Sequence, residues 1–190
     1  MKRRICVFCG SSLGFDATFG AMAAGAARAI AAAGYGIVYG GGGIGLMGEL
    51  ADAALAAGAE TIGVIPRALE QAEVAHRGLT RLHVVESMHE RKALMVDLSD
   101  AFVALPGGFG TMDELCEALS WRQLGILDRP IGVVNFEGYF DPLFSLFDQM
   151  VARGFLSPEH RALIAQAPAI EPLLATLFGR EPRSPRATRP

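Results

Sequence analysis

Short apolar runs alternate with helix-spaced apolar positions over most of the chain. The runs at 4–9, 35–39, 61–65, 81–85, 101–105 and 131–136 predict strands. Several are unbroken and rich in Val and Ile, as in strands buried on both faces of a parallel sheet. Between them, 16–33, 46–57, 88–98, 112–125 and 139–153 predict helices. Such strand–helix repetition implies an α/β fold, a doubly wound Rossmann-like parallel sheet with helices on both faces. Right-handed crossovers gather the C-terminal ends of the strands along one rim, where sheets of this kind bind ligands. Residues 155–178 read as a cap of short helices broken by Pro158, Pro168 and Pro172. One domain over 1–178 and a disordered Arg/Pro tail over 179–190 are expected.

Composition narrows the class. The formal net charge is −3 and the body of the chain has no basic stripe, which argues against a nucleic-acid partner. The arginines that do cluster, Arg180, Arg183, Arg186 and Arg189, all lie in the tail. The apolar run at 5–8 is too short for a secretory leader, and Arg28 interrupts the Ala-rich stretch at 21–33, so neither export nor a membrane span is expected. Three cysteines, an odd number, fit a reducing cytoplasm. Cys6 and Cys9 spell C-x-x-C. Along a strand, residues three apart face opposite sides, which predicts two packed thiols rather than a redox pair.

Four strand ends open into unusual loops. The first is followed by Gly10, Ser11 and Ser12, the second by the run Gly40, Gly41, Gly42, Gly43 with Gly45 and Gly48 beyond it. The fifth is followed by Pro106, Gly107, Gly108, Phe109, Gly110 and Thr111, and the fourth runs straight into Ser87, Met88, His89, Glu90, Arg91 and Lys92. Glycine lets backbone N–H groups approach an anion closely, and the start of the next helix adds partial positive charge. Two glycine loops on one rim predict a phosphorylated ligand, with Gly10, Ser11, Gly42, Gly43 and the loop at 107–111 as candidate contacts. Gly40, Gly42 and Gly45 satisfy G-x-G-x-x-G, but the next strand ends in Pro66 and Arg67 with no carboxylate to hold a ribose. An NAD(P)-dependent oxidoreductase is therefore the weaker alternative, beside a non-catalytic nucleotide sensor.

Ser87 with Glu90, and Thr111 with Glu114, both match the capping box. Glu114 is thus open to two readings, a helix cap or a carboxylate kept ionised at a helix start for chemistry. Arg91 and Lys92 in a first helical turn oppose the helix dipole at a cost of ~0.3–1 kcal/mol each; Glu90 or Asp97 could neutralise them, and a bound anion or a carboxylate across the rim, the reading placed first, would serve equally well. His76, His83, His89 and His160 form no ligand spacing, and neither a metal nor another cofactor is expected.

Taken together, Pro106-Gly107-Gly108-Phe109-Gly110-Thr111-Met112-Asp113-Glu114 (P-G-G-x-G-T-x-x-E) and Met88-His89-Glu90-Arg91-Lys92 (M-H-x-R-K) resemble the signatures of the LONELY GUY family, the cytokinin riboside 5′-monophosphate phosphoribohydrolases. Members were long described as possible lysine decarboxylases. The resemblance implies hydrolysis of the N-glycosidic bond of a purine nucleoside 5′-monophosphate by a homodimer or larger homo-oligomer. It makes Arg91 and Glu114 the catalytic pair. It places Glu73, Lys92, Ser120 and the segment Gly108, Phe109, Gly110, Thr111, Met112 and Asp113 against the nucleotide. Ser120 stands where the family commonly has threonine. Decarboxylation by pyridoxal phosphate needs a Schiff-base lysine, and the chain has only Lys2 and Lys92.

Overall fold

In the first strand Ile5 and Val7 face one way, with Cys9 just beyond it, while Cys6 and Phe8 face the other, as a period of two requires. The first set packs with Ala23, Ala27 and Ile30, with Leu50 and Ala54, and with Leu173 and Leu177. The second set packs with Met95, Leu115, Ala118, Phe144 and Phe147. Both faces of every central strand are thus covered, which is why the strands read as unbroken apolar runs. Full burial of a side chain such as Ile30 or Leu50 contributes about 1.5–3 kcal/mol.

The computed structural model describes residues 3–70 and 74–179. In chain order the elements are β1 (Arg4–Phe8), α1 (Ala17–Ala32), β2 (Gly36–Tyr39), α2 (Gly45–Ala56), β3 (Thr61–Pro66), β4 (Arg81–Val85), α3 (Met88–Asp97), β5 (Ala101–Ala104), α4 (Phe109–Gln123), β6 (Ile131–Val134), α5 (Asp141–Ala152), α6 (Pro158–Arg161), β7 (Ile164–Ala167) and α7 (Ile170–Gly179). The strands form one parallel sheet in the order β4-β3-β2-β1-β5-β6-β7. Helices α1, α2 and α7 cover one face; α3, α4 and α5 cover the other. The strand order reverses between β1 and β5, and in open α/β sheets a crevice forms beyond the strand ends at such a point.

The expected strands and helices are present, with two differences. The stretch 155–178, expected as a cap of short helices, contains β7, which pairs with β6 from Ile164 to Ala167. Its sequence, Ile-Ala-Gln-Ala, is short and mostly poor in strand preference, so sheet pairing rather than propensity makes it a strand. Helix α4 starts at Phe109 with Gly108 as its cap, three residues before the expected start. The tail from 180 onward lies outside the described residues; Gly179, assigned to that tail, is the last residue of α7. Among the described residues no helix is long and apolar enough to cross a membrane. Cys6 and Cys9 are buried and unpaired, and burial pushes both thiols up from their ordinary range, leaving neither as a thiolate at neutral pH.

Candidate active site

A cleft of about 160 Å³ opens beyond the ends of β2, β1 and β5. Its walls come from Cys9, Gly10 and Ser11 after β1, Gly40 after β2, Met47 of α2, Arg91 of α3, and Gly108, Phe109, Gly110, Thr111 and Glu114 of the α4 start.

Helix α3 is fixed at its origin by Ser87, whose Oγ accepts from the Glu90 N–H at 3.1 Å, while the Glu90 carboxylate accepts from the Glu86 N–H at 2.9 Å. This is the capping box foreseen at Ser87, with the return bond reaching one residue further back. One residue on, Arg91 turns inward and is only 6% exposed. Its Nε donates to the Val64 carbonyl at 3.1 Å and its Nη2 to the Gly40 carbonyl at 3.2 Å, the C-terminal ends of β3 and β2. Nη2 also lies 3.8 Å from Oε1 of Glu114, itself 9% exposed. Gly40 has to lack a side chain here, because a Cβ would fall 2.1 Å from Nη2. The cation that seemed misplaced against a helix dipole is thus answered by strand carbonyls and a buried carboxylate.

The second expected capping box does not form. With Gly108 as cap, Thr111 is the third residue of α4 and Glu114 falls in its second turn. Glycine is as acceptable as threonine at a cap, and Gly107 packs closely against Thr111 Oγ1, which takes the hydroxyl away from the role. Two consequences follow for the chemistry. The charge opposite Glu114 is the Arg91 guanidinium rather than a helix terminus. The first amides of α4 also keep their N–H groups without a side-chain cap, at the wall of the cleft. Thr111 is 3% exposed, and its Oγ1 has no hydrogen-bond partner among the described residues. An uncapped helix start beside an unsatisfied buried hydroxyl suits an incoming anion.

Other candidate residues lie elsewhere. Lys92 does not line the cleft; its ammonium lies 3.2 Å from Asp113 and 2.9 Å from Glu117, tying α3 to α4. Partial burial lowers its pKa, but hydrogen bonds to Glu117 and Asp113 outweigh this and hold it above the ordinary lysine range. Gly42 and Gly43 face a neighbouring loop: Gly42 bridges Ala75, and the Gly43 N–H donates to the Val74 carbonyl at 2.8 Å. Met112 packs on the α3–α5 side of the core. The Ser120 hydroxyl donates to the Cys116 carbonyl at 2.8 Å within α4 and lines a different groove, with Leu119, Phe147 and Met150. Gly107 stands behind the cleft wall, its carbonyl accepting from the Tyr139 hydroxyl at 2.6 Å. Glu73 lies outside the described residues. Sequence reasoning missed Val7, Cys9, Gly40 and Met47 as cleft residues. Gly40 was legible only as a fingerprint glycine, and Met47 had no signal beyond its place after a glycine loop.

Comparison with known proteins follows the same residues. A family profile described as "Possible lysine decarboxylase" matches residues 47–177. A rice protein named "Probable cytokinin riboside 5′-monophosphate phosphoribohydrolase" is 48% identical over 171 residues, covering 90% of this chain and 77% of the relative. An Arabidopsis thaliana cytokinin riboside 5′-monophosphate phosphoribohydrolase is 44% identical over 181 residues, covering 95% and 85%. Among solved structures, the molybdenum cofactor carrier protein of Chlamydomonas reinhardtii superposes with a TM-score of 0.73 at 22% identity, over 95% of this chain and 100% of that one, a likeness of fold alone. The decarboxylase in the profile's description does not fit the site. Lys92 is held as a paired cation, whereas a Schiff base needs a neutral amine beside the cofactor.

Proposed function

Since the chain belongs to the LONELY GUY family of cytokinin riboside 5′-monophosphate phosphoribohydrolases, we propose that it hydrolyses the N-glycosidic bond of a purine nucleoside 5′-monophosphate. Water adds its oxygen to the anomeric carbon, the bond to the base nitrogen breaks with its electron pair passing to the base, the base takes up the proton that the water gives up, and free base leaves with ribose 5-phosphate as the second product. The observation that carries this is the buried Arg91–Glu114 pair standing in the same cleft as the uncapped start of α4.

The chemistry follows from that placement. The bond breaks through an oxocarbenium-like state, positive at the anomeric carbon. The Glu114 carboxylate stabilises that charge and orients or deprotonates the attacking water. Arg91, anchored on two carbonyls, holds Glu114 in place from behind. The amides of Phe109, Gly110 and Thr111, with the Thr111 hydroxyl, take the 5′-phosphate, so anion and reacting carbon lie within one sugar of each other. Lys92 acts indirectly, by fixing α4 against α3.

Incubating the protein with AMP and with its N6-isopentenyl analogue, and following free base by chromatography, tests the activity. Absence of base from both would overturn it. The role of Thr111 is separable. Replacing it by valine removes a buried hydroxyl that has no partner among the described residues, so the ligand-free protein is expected to melt at the same temperature or slightly higher. AMP binding, measured by calorimetry, is expected to weaken about tenfold. Unchanged affinity would remove Thr111 from the phosphate site.

The assembly we propose is a homodimer, which would cover exposed apolar side chains such as Leu124, Ile126 and Phe155. Sedimentation as a monomer would exclude it. Three free cysteines suit a reducing cytoplasm as the place of action.

A further inference from the structure

Tyr139 follows β6 and does not line the cleft. Its ring is held edge-on by Phe19 and Phe140, with centroids 6.2 and 5.1 Å away, and its hydroxyl donates to the Gly107 carbonyl at 2.6 Å. The sheet order places β6 on one flank of β5, and β1 and β2, with the cleft, on the other. The peptide joining Gly107 to Gly108 is planar and trans, so its C=O and N–H point in opposite directions. With the oxygen drawn toward Tyr139, the Gly108 N–H points the opposite way, and Gly108 is a wall of the cleft.

Gly107 is hemmed in by Thr111 and the Gly10 amide, whereas the Gly108 side of the unit stands in open space. Two flanking glycines leave it free of the Cβ clashes that fix most peptides, and a Cβ built on Gly108 would meet no atom within 4 Å. Half a turn about the unit would point a carbonyl oxygen, rather than an N–H, at the anion. We propose that Tyr139 is a positioning residue, whose hydroxyl locks the Gly107–Gly108 peptide with its N–H toward the cleft and so keeps the phosphate loop in its binding form. The proposal rests on the α4 start being the 5′-phosphate site. It predicts a selective defect, confined to ligands that carry the phosphate.

The test is Tyr139→Phe, which removes one oxygen and keeps the ring contacts. KM for AMP is expected to rise about tenfold with kcat changed less than about threefold, the split that marks lost ground-state binding. In a Glu114→Gln background, calorimetry is expected to show the same tenfold loss for AMP and less than about a twofold change for adenosine. Equal losses for AMP and adenosine, or no loss for AMP, would overturn the clamp. If the parent protein releases no base, the hydrolase assignment fails by itself, and the calorimetric comparison still decides the clamp. If neither parent nor variant binds AMP, both fall.

Discussion

Glu114→Gln is expected to lower the rate of base release from AMP by about 10³-fold while leaving AMP affinity within a few-fold of the parent. Glutamine keeps the shape and one acceptor oxygen, so Nη2 of Arg91, 3.8 Å from Oε1 in the parent, retains a polar neighbour. What disappears, in the proposed mechanism, is the negative charge facing the developing oxocarbenium ion and the basic oxygen that takes the proton of water. In the proposed mechanism substrate binding depends instead on the α4 amides and Thr111, which the substitution does not touch. Some stability is lost too, because a buried guanidinium exchanges a carboxylate for an amide. About 1–3 kcal/mol is expected, or several degrees of melting temperature for a chain of this length. Initial rates by chromatography, calorimetry on AMP and a thermal melt separate the three effects. A variant that keeps a tenth or more of the parent rate would place the chemistry on some other group.

The second large effect is expected at a residue with no side chain. In Gly40→Ala the new methyl would lie 2.1 Å from Nη2 of Arg91 and 3.1 Å from the Met47 sulfur. The far end of an arginine can move, so the fold should survive. The guanidinium cannot move without giving up the Gly40 carbonyl at 3.2 Å and its place beside Glu114. A misplacement of about 1 Å in a group that positions the reacting carboxylate costs on the order of 10² in rate. We expect turnover to fall by about that factor, with a melting temperature lowered by a few degrees. Circular dichroism confirms the fold and initial rates give the loss. Near-parental turnover in a folded Gly40→Ala would show that the position of Arg91 does not matter to the reaction.

Much of this was legible in the chain. Strands covered on both faces leave unbroken Val- and Ile-rich runs, so six of the seven were readable, whereas β7, with its two alanines and a glutamine, carried too weak a signal. The partners of Arg91 were not readable, because two of them are main-chain carbonyls, present at every position and marked by no residue type. For the same reason Gly40 looked like part of a phosphate fingerprint, when its role in the structure is to make room for a side chain 51 positions away. Gly42 and Gly43 were assigned to ligand although their backbone joins Val74 and Ala75, a pairing that loop sequences do not announce. Thr111 matched the capping box, but with glycine also acceptable at a cap, only packing against Gly107 could decide where α4 begins.

The return of the chain from β4, at one margin of the sheet, to β5 near its middle gives the Arg91–Glu114 pair an unusual dependence. Arg91 travels on that returning segment and leans on carbonyls donated by the earlier half of the polypeptide, while Glu114 belongs to the later half. Neither half by itself contains a working pair. With the reaction placed on this pair as proposed, turnover is also a gauge of tertiary integrity: a cut or local melting that undocks the β3–β4 margin is expected to extinguish it even if the lobe around β5 and β6 stays folded.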